Sequence, residues 1–463
     1  MTRSVDPRAD AALSRRRFLL AGLGGLTVLG LGTPGPAGAA RWASGDPAPA
    51  RIRIDVHSRL FNGHDVPLAR LFDRVIAPAH PEHADLIRAG AGLAQTLAWV
   101  LAPSGAAETW RLDELARRPG LALAGHDDGP IRADREAADR RFRDALPVVL
   151  PGTEFFRLYL ERLIPRARAG LGAGAAARLA RIARAGVLEP RDVDFLLDAD
   201  GPERALLPIR PLAAFRRYTY HRYLSVRELL RPGDGLADLV VPTTAVFDEE
   251  PGASAPPTPR RDQLIAIARL VTLCGGRLHP LVPLDPRVAT RDAGESLAVV
   301  RDAVEHRGFA GVTLTAPLAS AATAGDPALS ALLDWCARAE VAVVAPAASP
   351  ARTAALLARH PGLRLGVRRA PAAVDEPGAG GRPMHGIDWM RRSLEGSARE
   401  IHRAEADGIG AAIRGDHAAD FLGLRRGRPT RTRLERFYDR HRVPPPAWLR
   451  ALDAAAPEGA VPA

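Results

Sequence analysis

The chain contains no lysine. All 64 of its basic residues are arginine, against 53 acidic residues, and the formal net charge is +11. Together with abundant Ala, Gly and Pro, this absence reads most simply as a GC-rich coding bias. Cysteine is nearly absent as well. With only Cys274 and Cys336, no disulfide framework can hold the fold. One bridge between them is chemically open outside the cytosol; two buried thiols are the simpler expectation. Aromatic residues are sparse, and no aromatic platform accompanies the arginines, which alternate with Asp and Glu along helical stretches. Nucleic-acid binding is therefore not expected. There is no Gly-x-Ser-x-Gly elbow and no Cys-His pair that the sequence can place, so metal-free nucleophilic hydrolysis has no support.

Long apolar runs are lacking too, with one exception near the N-terminus. Ser14-Arg15-Arg16-Arg17-Phe18-Leu19-Leu20 opens an uncharged stretch that continues to Gly32, and Ala37-Gly38-Ala39 supplies a small-residue cleavage site. This resembles a twin-arginine signal peptide over residues 1–39. It implies export of folded cargo by the twin-arginine translocation machinery to a periplasmic or extracellular location. The rival is an uncleaved anchor. The run is Gly-rich and shorter than the roughly 20 residues a span needs, so no stable membrane span is expected. Cleavage removes five Arg and two Asp and lowers the net charge from +11 to +8.

Residues 40–50, rich in Ala, Pro and Gly, read as a linker. Arg51 to Val56 reads as a short strand, followed by a turn to residue 67. From 68 to 236 the pattern is mostly helical. RLYLERLIPRARAG and GAAARLARIARAGVLEP space their apolar residues at helical intervals and put Arg on the other face, which reads as solvated helix surface. GLGAGA at 170–175 follows a helix rather than a strand, so a dinucleotide loop is not supported. Beyond 236 the rhythm changes. Apolar runs at 239–247, 278–284, 311–315, 341–345, 363–367 and 384–388 alternate with helical intervals, which predicts a parallel sheet, open or closed. Residues 426–463 read as a helix and a Pro/Ala-rich tail. Roughly 420 mature residues suit a (β/α)8 barrel with insertions.

Six stretches in order, DVHSRLFNGHDVP, GGRLHPLVPLDPR, EHRGFAGVTLTAP, HPGLRLGV, HGIDW and GDHAADFLGL, resemble the amidohydrolase superfamily in its amidohydrolase-related, metal-dependent hydrolase branch. The resemblance covers most of 51–68 and 237–425. It implies a TIM-like barrel whose first strand and turn span 51–67, with a large helical insertion at 68–236 and the rest of the barrel at 237–425. It also implies a site at the C-terminal strand ends, where zinc or manganese would activate a water. Strand 1 of such a barrel ends in His-x-His. Strand 4 often carries a Lys ligand, strands 5 and 6 carry one His each, and a late Asp takes the water's proton.

Carried over residue by residue, the pattern fails at most positions. His57 matches the first ligand and Asp388 the late acid, which would also be the catalytic base. Arg59 stands at the second His. A guanidinium has donors only, so it cannot ligate a cation. Thr313 stands where Lys is common, Pro346 near the strand 5 His, and Arg369, with Arg368 beside it, near the strand 6 His. A rewired zinc site could draw on Asp55, His57, His64, His385 and Asp388, since three ligands and an open position suffice. His279 reads instead as a hydrogen-bonded histidine. The favoured expectation is a metal-free, catalytically impaired barrel. In it Arg59, Arg368 and Arg369 replace the ion and pair with Asp388; bracing of the scaffold is the weightier reading of these arginines, and a cleft for a small anionic ligand, formed with Thr313 and His385, is the other. A divergent hydrolase using His57 and Asp388 is the alternative. Only about 15 residues separate strand 6 from HGIDW, too few for two crossovers. Strand 7 and its helices are expected to be missing, leaving the barrel incomplete or closed with seven strands.

Overall fold

Strand formation in the second half follows from short apolar runs buried on both faces. In the computed structural model every residue of Leu281–Leu284 and Gly311–Leu314 is buried, and so are four of the five in Ala342–Pro346. That pattern belongs to strands covered by helices on either side. The structure describes residues 52–56, 58–118, 123, 129–198, 201–230, 237–243, 257–286, 293–315, 326–346, 350–369, 373–375, 383–385, 394–395 and 415–454. The export signal, the linker, His57 and Asp388 lie outside them.

Strand β1 (Ile54–Asp55) leads through a turn into a helical segment, 68–79, whose middle (Phe72–Ile76) is π-helical. Among the described residues nine α-helices follow: α1 (Ala84–Leu101), α2 (Gly105–Ala116), α3 (Gly129–Val149), α4 (Glu154–Gly170), α5 (Ala173–Ala185), α6 (Pro190–Leu197), α7 (Pro202–Leu206), α8 (Pro211–Tyr218) and α9 (Arg222–Leu230). Among the described residues of 68–230 there is no strand. α4 shows how these helices arise. The Thr153 hydroxyl accepts from Phe156 N at its start, and Phe155, Phe156, Tyr159, Leu160 and Leu163 make one buried stripe.

The alternation predicted from residue 237 is present. It runs β2 (Leu239–Val240), α10 (Arg260–Leu273), β3 (Leu281–Leu284), α11 (Ala293–His306), β4 (Gly311–Leu314), α12 (Pro327–Arg338), β5 (Ala342–Pro346), α13 (Pro350–Arg359) and β6 (Leu365–Arg369). Then come β7 (Ala373–Asp375), β8 (Pro383–His385), α14 (Gly415–Leu422), α15 (Pro429–His441) and α16 (Ala447–Ala454). β1 and β2 pair in parallel, while β3 to β8 form a second sheet in sequence order. Parallel bridges Val240↔Leu278 and Thr243↔Leu281 join the two edges. At Gly311 the strands approach so closely that a Cβ would lie 2.5 Å from the Ala342 carbonyl oxygen, which explains the glycine. The result is a mixed α/β protein, mostly helical, with small parallel sheets.

The interval after β6 holds no crossover helix among the described residues, only a short strand, β7, antiparallel to both β6 and β8. A parallel return needs a crossover of a dozen or more residues, whereas an antiparallel return needs only a short turn. The chain therefore folds back on itself, and β8 regains the direction of β1–β6 and lies against β1.

The C-terminal helices lock onto the start of β3. His279 is fully buried, with Nδ1 2.7 Å from the Gly308 carbonyl and Nε2 2.6 Å from the Tyr438 hydroxyl. A carbonyl only accepts, so Nδ1 carries the proton and Nε2 accepts from Tyr438. Burial pushes the His279 pKa down to about 4, so it is neutral. Trp448 Nε1 donates to Gly276 O at 2.7 Å beside it. Cys274 and Cys336 are buried thiols and are not bridged to each other. Among the described residues no helix is long and apolar enough to cross a membrane.

Candidate functional site

Backbone register fixes which expected site residues share the C-terminal edge of the strands. Thr313 pairs with Pro283 on one side and Val344 on the other, inside the sheet and buried. Pro346, two residues past Val344, pairs with Arg368. Arg369 pairs with Ala373, which pairs with His385. The backbones of Pro346, Arg368, Arg369 and His385 therefore line one end of neighbouring strands. Arg59 is half-buried just past β1, with its backbone bridged in parallel to Thr243.

The described side chains at and near these positions are not grouped as metal ligands. Arg59 and Pro346 carry no lone pair for a cation. The Asp55 carboxylate turns back on its own loop, accepting from Ser58 N at 3.0 Å and from the Ser58 hydroxyl. His64 is committed elsewhere. Its Nε2 lies 3.0 Å from the Trp99 carbonyl and so carries the proton, and its Nδ1 is 3.5 Å from the Thr258 hydroxyl. Burial lowers its pKa. Among the described residues no three His, Cys, Asp or Glu side chains are grouped to hold an ion.

The turn after β1 instead builds a buried charge cluster that the sequence did not reveal. Arg222, fully buried at the start of α9, places Nη2 2.7 Å from Asp65 Oδ2 and 2.9 Å from Glu108 Oε2. Glu108 sits on α2 and also accepts from the Arg222 backbone N–H. Arg222 Nη1 donates to the Gln263 carbonyl on α10 at 3.1 Å, and Gln263 donates back to Asp65 O at 3.2 Å. Burial raises the pKa of both carboxyls, Glu108 to about 7, against the pull of the shared guanidinium. Two carboxyls on one guanidinium are electrically balanced when they share one proton. With no exposed surface, the cluster joins the first turn, the helical region and α10. It is a seam and not a reaction centre. Gly63 allows the approach: a Cβ there would lie 2.3 Å from Ala98 Cβ and 2.5 Å from Tyr218 O.

A second feature lies wholly within the helices. A cleft of about 1140 Å³ opens among α3, α6, α8 and their neighbours. Eight arginines and four carboxylates line it. Three of the arginines are held loosely. Arg135 is 3.7 Å from Glu228, Arg143 is 3.7 Å from Asp194 and Arg216 is 3.7 Å from Asp139, outside hydrogen-bonding distance in each case. The Nε atoms of Arg135 and Arg216 are buried with no hydrogen-bond acceptor among the described residues. Arg178, by contrast, bonds Asp192 at 3.1 Å and stacks over Phe195 at 4.4 Å. At the floor, Glu203 accepts from Leu212 N at 2.7 Å and Ala213 N at 3.2 Å, the first turn of α8. Burial pushes its pKa up to about 7 despite these bonds and the nearby Arg217 and Arg216.

The sequence treated these arginines as solvated helix faces. The one available signal was the run Phe215-Arg216-Arg217-Tyr218, where apolar neighbours flank a charge pair. No family model, curated protein or solved structure matches the chain.

Proposed function

We propose that this is an exported protein built on an amidohydrolase-related barrel that has lost metal-assisted hydrolysis and binds a small anionic ligand at its strand ends. The observation that carries the proposal is the order of the strands. β1 to β6 run in one direction in sequence order, joined edge to edge, with β8 against β1. Arginine stands at positions 59, 368 and 369, just past or at the strand ends where the resembling family keeps ligands. In this reading the barrel has seven strands in one direction, with β7 as an antiparallel insert. Guanidinium groups there supply the positive charge that the ion would have brought.

Metal analysis of the purified chain tests the proposal. It expects far less than one zinc or manganese per chain, unchanged by His57→Ala and Asp388→Ala. Near-stoichiometric metal that those substitutions remove would overturn it in favour of a divergent hydrolase. A thermal-shift screen with small carboxylates and phosphates should find a stabilising ligand whose effect disappears in Arg59→Ala and Arg369→Ala.

A further inference from the structure

We infer that the arginine-lined cleft of the helical region is a second, separate binding site, for a small molecule carrying two or more phosphate or carboxylate groups. Three observations converge on it. The cleft is large enough for an organic anion with several charged groups, and arginines outnumber carboxylates on its walls by eight to four. Guanidinium groups there still have capacity: Arg135 and Arg216 are part-exposed, their carboxylate neighbours stand off at 3.7 Å, and the Nε of each has no acceptor among the described residues. A buried donor left unbonded is costly, so an oxyanion that reaches these guanidinium groups gains charge-assisted hydrogen bonds.

The spacing selects for more than one anionic group. Arg135 and Arg143 lie eight residues apart on α3, about 12 Å along the helix axis. A single chloride or acetate reaches one of them. An elongated anion, or one with several oxyanion groups, can engage Arg143 at one end and Arg135 with Arg216 at the other. The lining includes Phe195 and Tyr220, which offer apolar surface to a carbon framework. Glu203 does not compete for these donors, because α8 holds its carboxylate.

Isothermal titration with inorganic triphosphate and with citrate, against sodium chloride at matched ionic strength, tests the assignment on the full mature chain. Binding with near one-to-one stoichiometry is expected for at least one probe, and which probe binds distinguishes phosphate from carboxylate. The double variant Arg135→Gln/Arg216→Gln should weaken it at least tenfold. Arg143→Gln, half-exposed and safe for folding, should weaken it about threefold to tenfold. Arg88→Gln, whose partner is Asp73 outside the cleft, should leave it unchanged. Arg59→Ala and Arg369→Ala should leave it unchanged too, which separates this site from the proposed strand-end site. Absence of heat with both probes would overturn the inference. So would unaltered affinity in Arg143→Gln, or a loss confined to Arg59→Ala and Arg369→Ala.

Discussion

The buried cluster at Arg222 and the arginine-lined cleft use one chemical group to opposite ends. Arg222 has no exposed surface and shares its charge between Asp65 and Glu108 at 2.7 and 2.9 Å. In the cleft, Arg135, Arg143 and Arg216 are partly exposed and keep one carboxylate each at 3.7 Å. In the first region two carboxyls lie within 2.9 Å of one guanidinium that water does not reach, so compensation is at close range and the guanidinium is structural, although its Nε, like those of Arg135 and Arg216, has no hydrogen-bond partner among the described residues. In the second it is partial, so hydrogen-bonding capacity remains for something else. In a lysine-free chain with 64 arginines, the identity of the residue reveals nothing about which use applies. What separates them is the distance to the nearest carboxylate and the access of water.

The largest expected effect comes from breaking the compensated side of this comparison. Arg222→Met leaves two buried carboxyls without their cation and should destabilise the chain by about 3–5 kcal/mol, read from urea unfolding. A loss under about 1 kcal/mol would mean that water or another cation compensates the cluster. A smaller effect belongs to Glu203. Its folded pKa is raised to about 7 from the ordinary 4.5, so its contribution is fully present below pH 4.5 and lost as the pH rises through 7. Glu203→Gln should not suffer that loss. Relative to wild type it should gain about 3 kcal/mol of stability between pH 4.5 and pH 8. Parallel stability curves for the two proteins would refute this. The smallest effect is expected for Arg143→Gln, whose exposed ion pair should change stability by under about 0.5 kcal/mol. A loss above 1 kcal/mol would make that arginine part of the scaffold and erase the contrast with Arg222.

How much could be read in advance differs sharply along the chain. Helices at 68–230 and the alternation after 237 were legible, because burial of one helix face or of a whole strand writes a period into the local sequence. The short interval after β6 was legible as an anomaly of length. Its content was not: whether so short an interval leaves a gap or folds back as β7 depends on which strand edge is open beside it. Asp55 and His64 show the same limit at the site. Both carry metal-ligand chemistry in the sequence, yet Ser58 claims the first, and the Trp99 carbonyl and Thr258 surround the second.

By itself the sequence determined the type and order of the elements and the scarcity of metal donors at the strand ends, since both are local properties of residue identity. Only the tertiary structure decided which arginines are neutralised. Arg222 meets Glu108 across 114 residues of chain. That pairing exists because α2 and α9 dock on the same turn. Coulomb energy depends on distance in space and on exclusion of water, and neither is encoded at any one position.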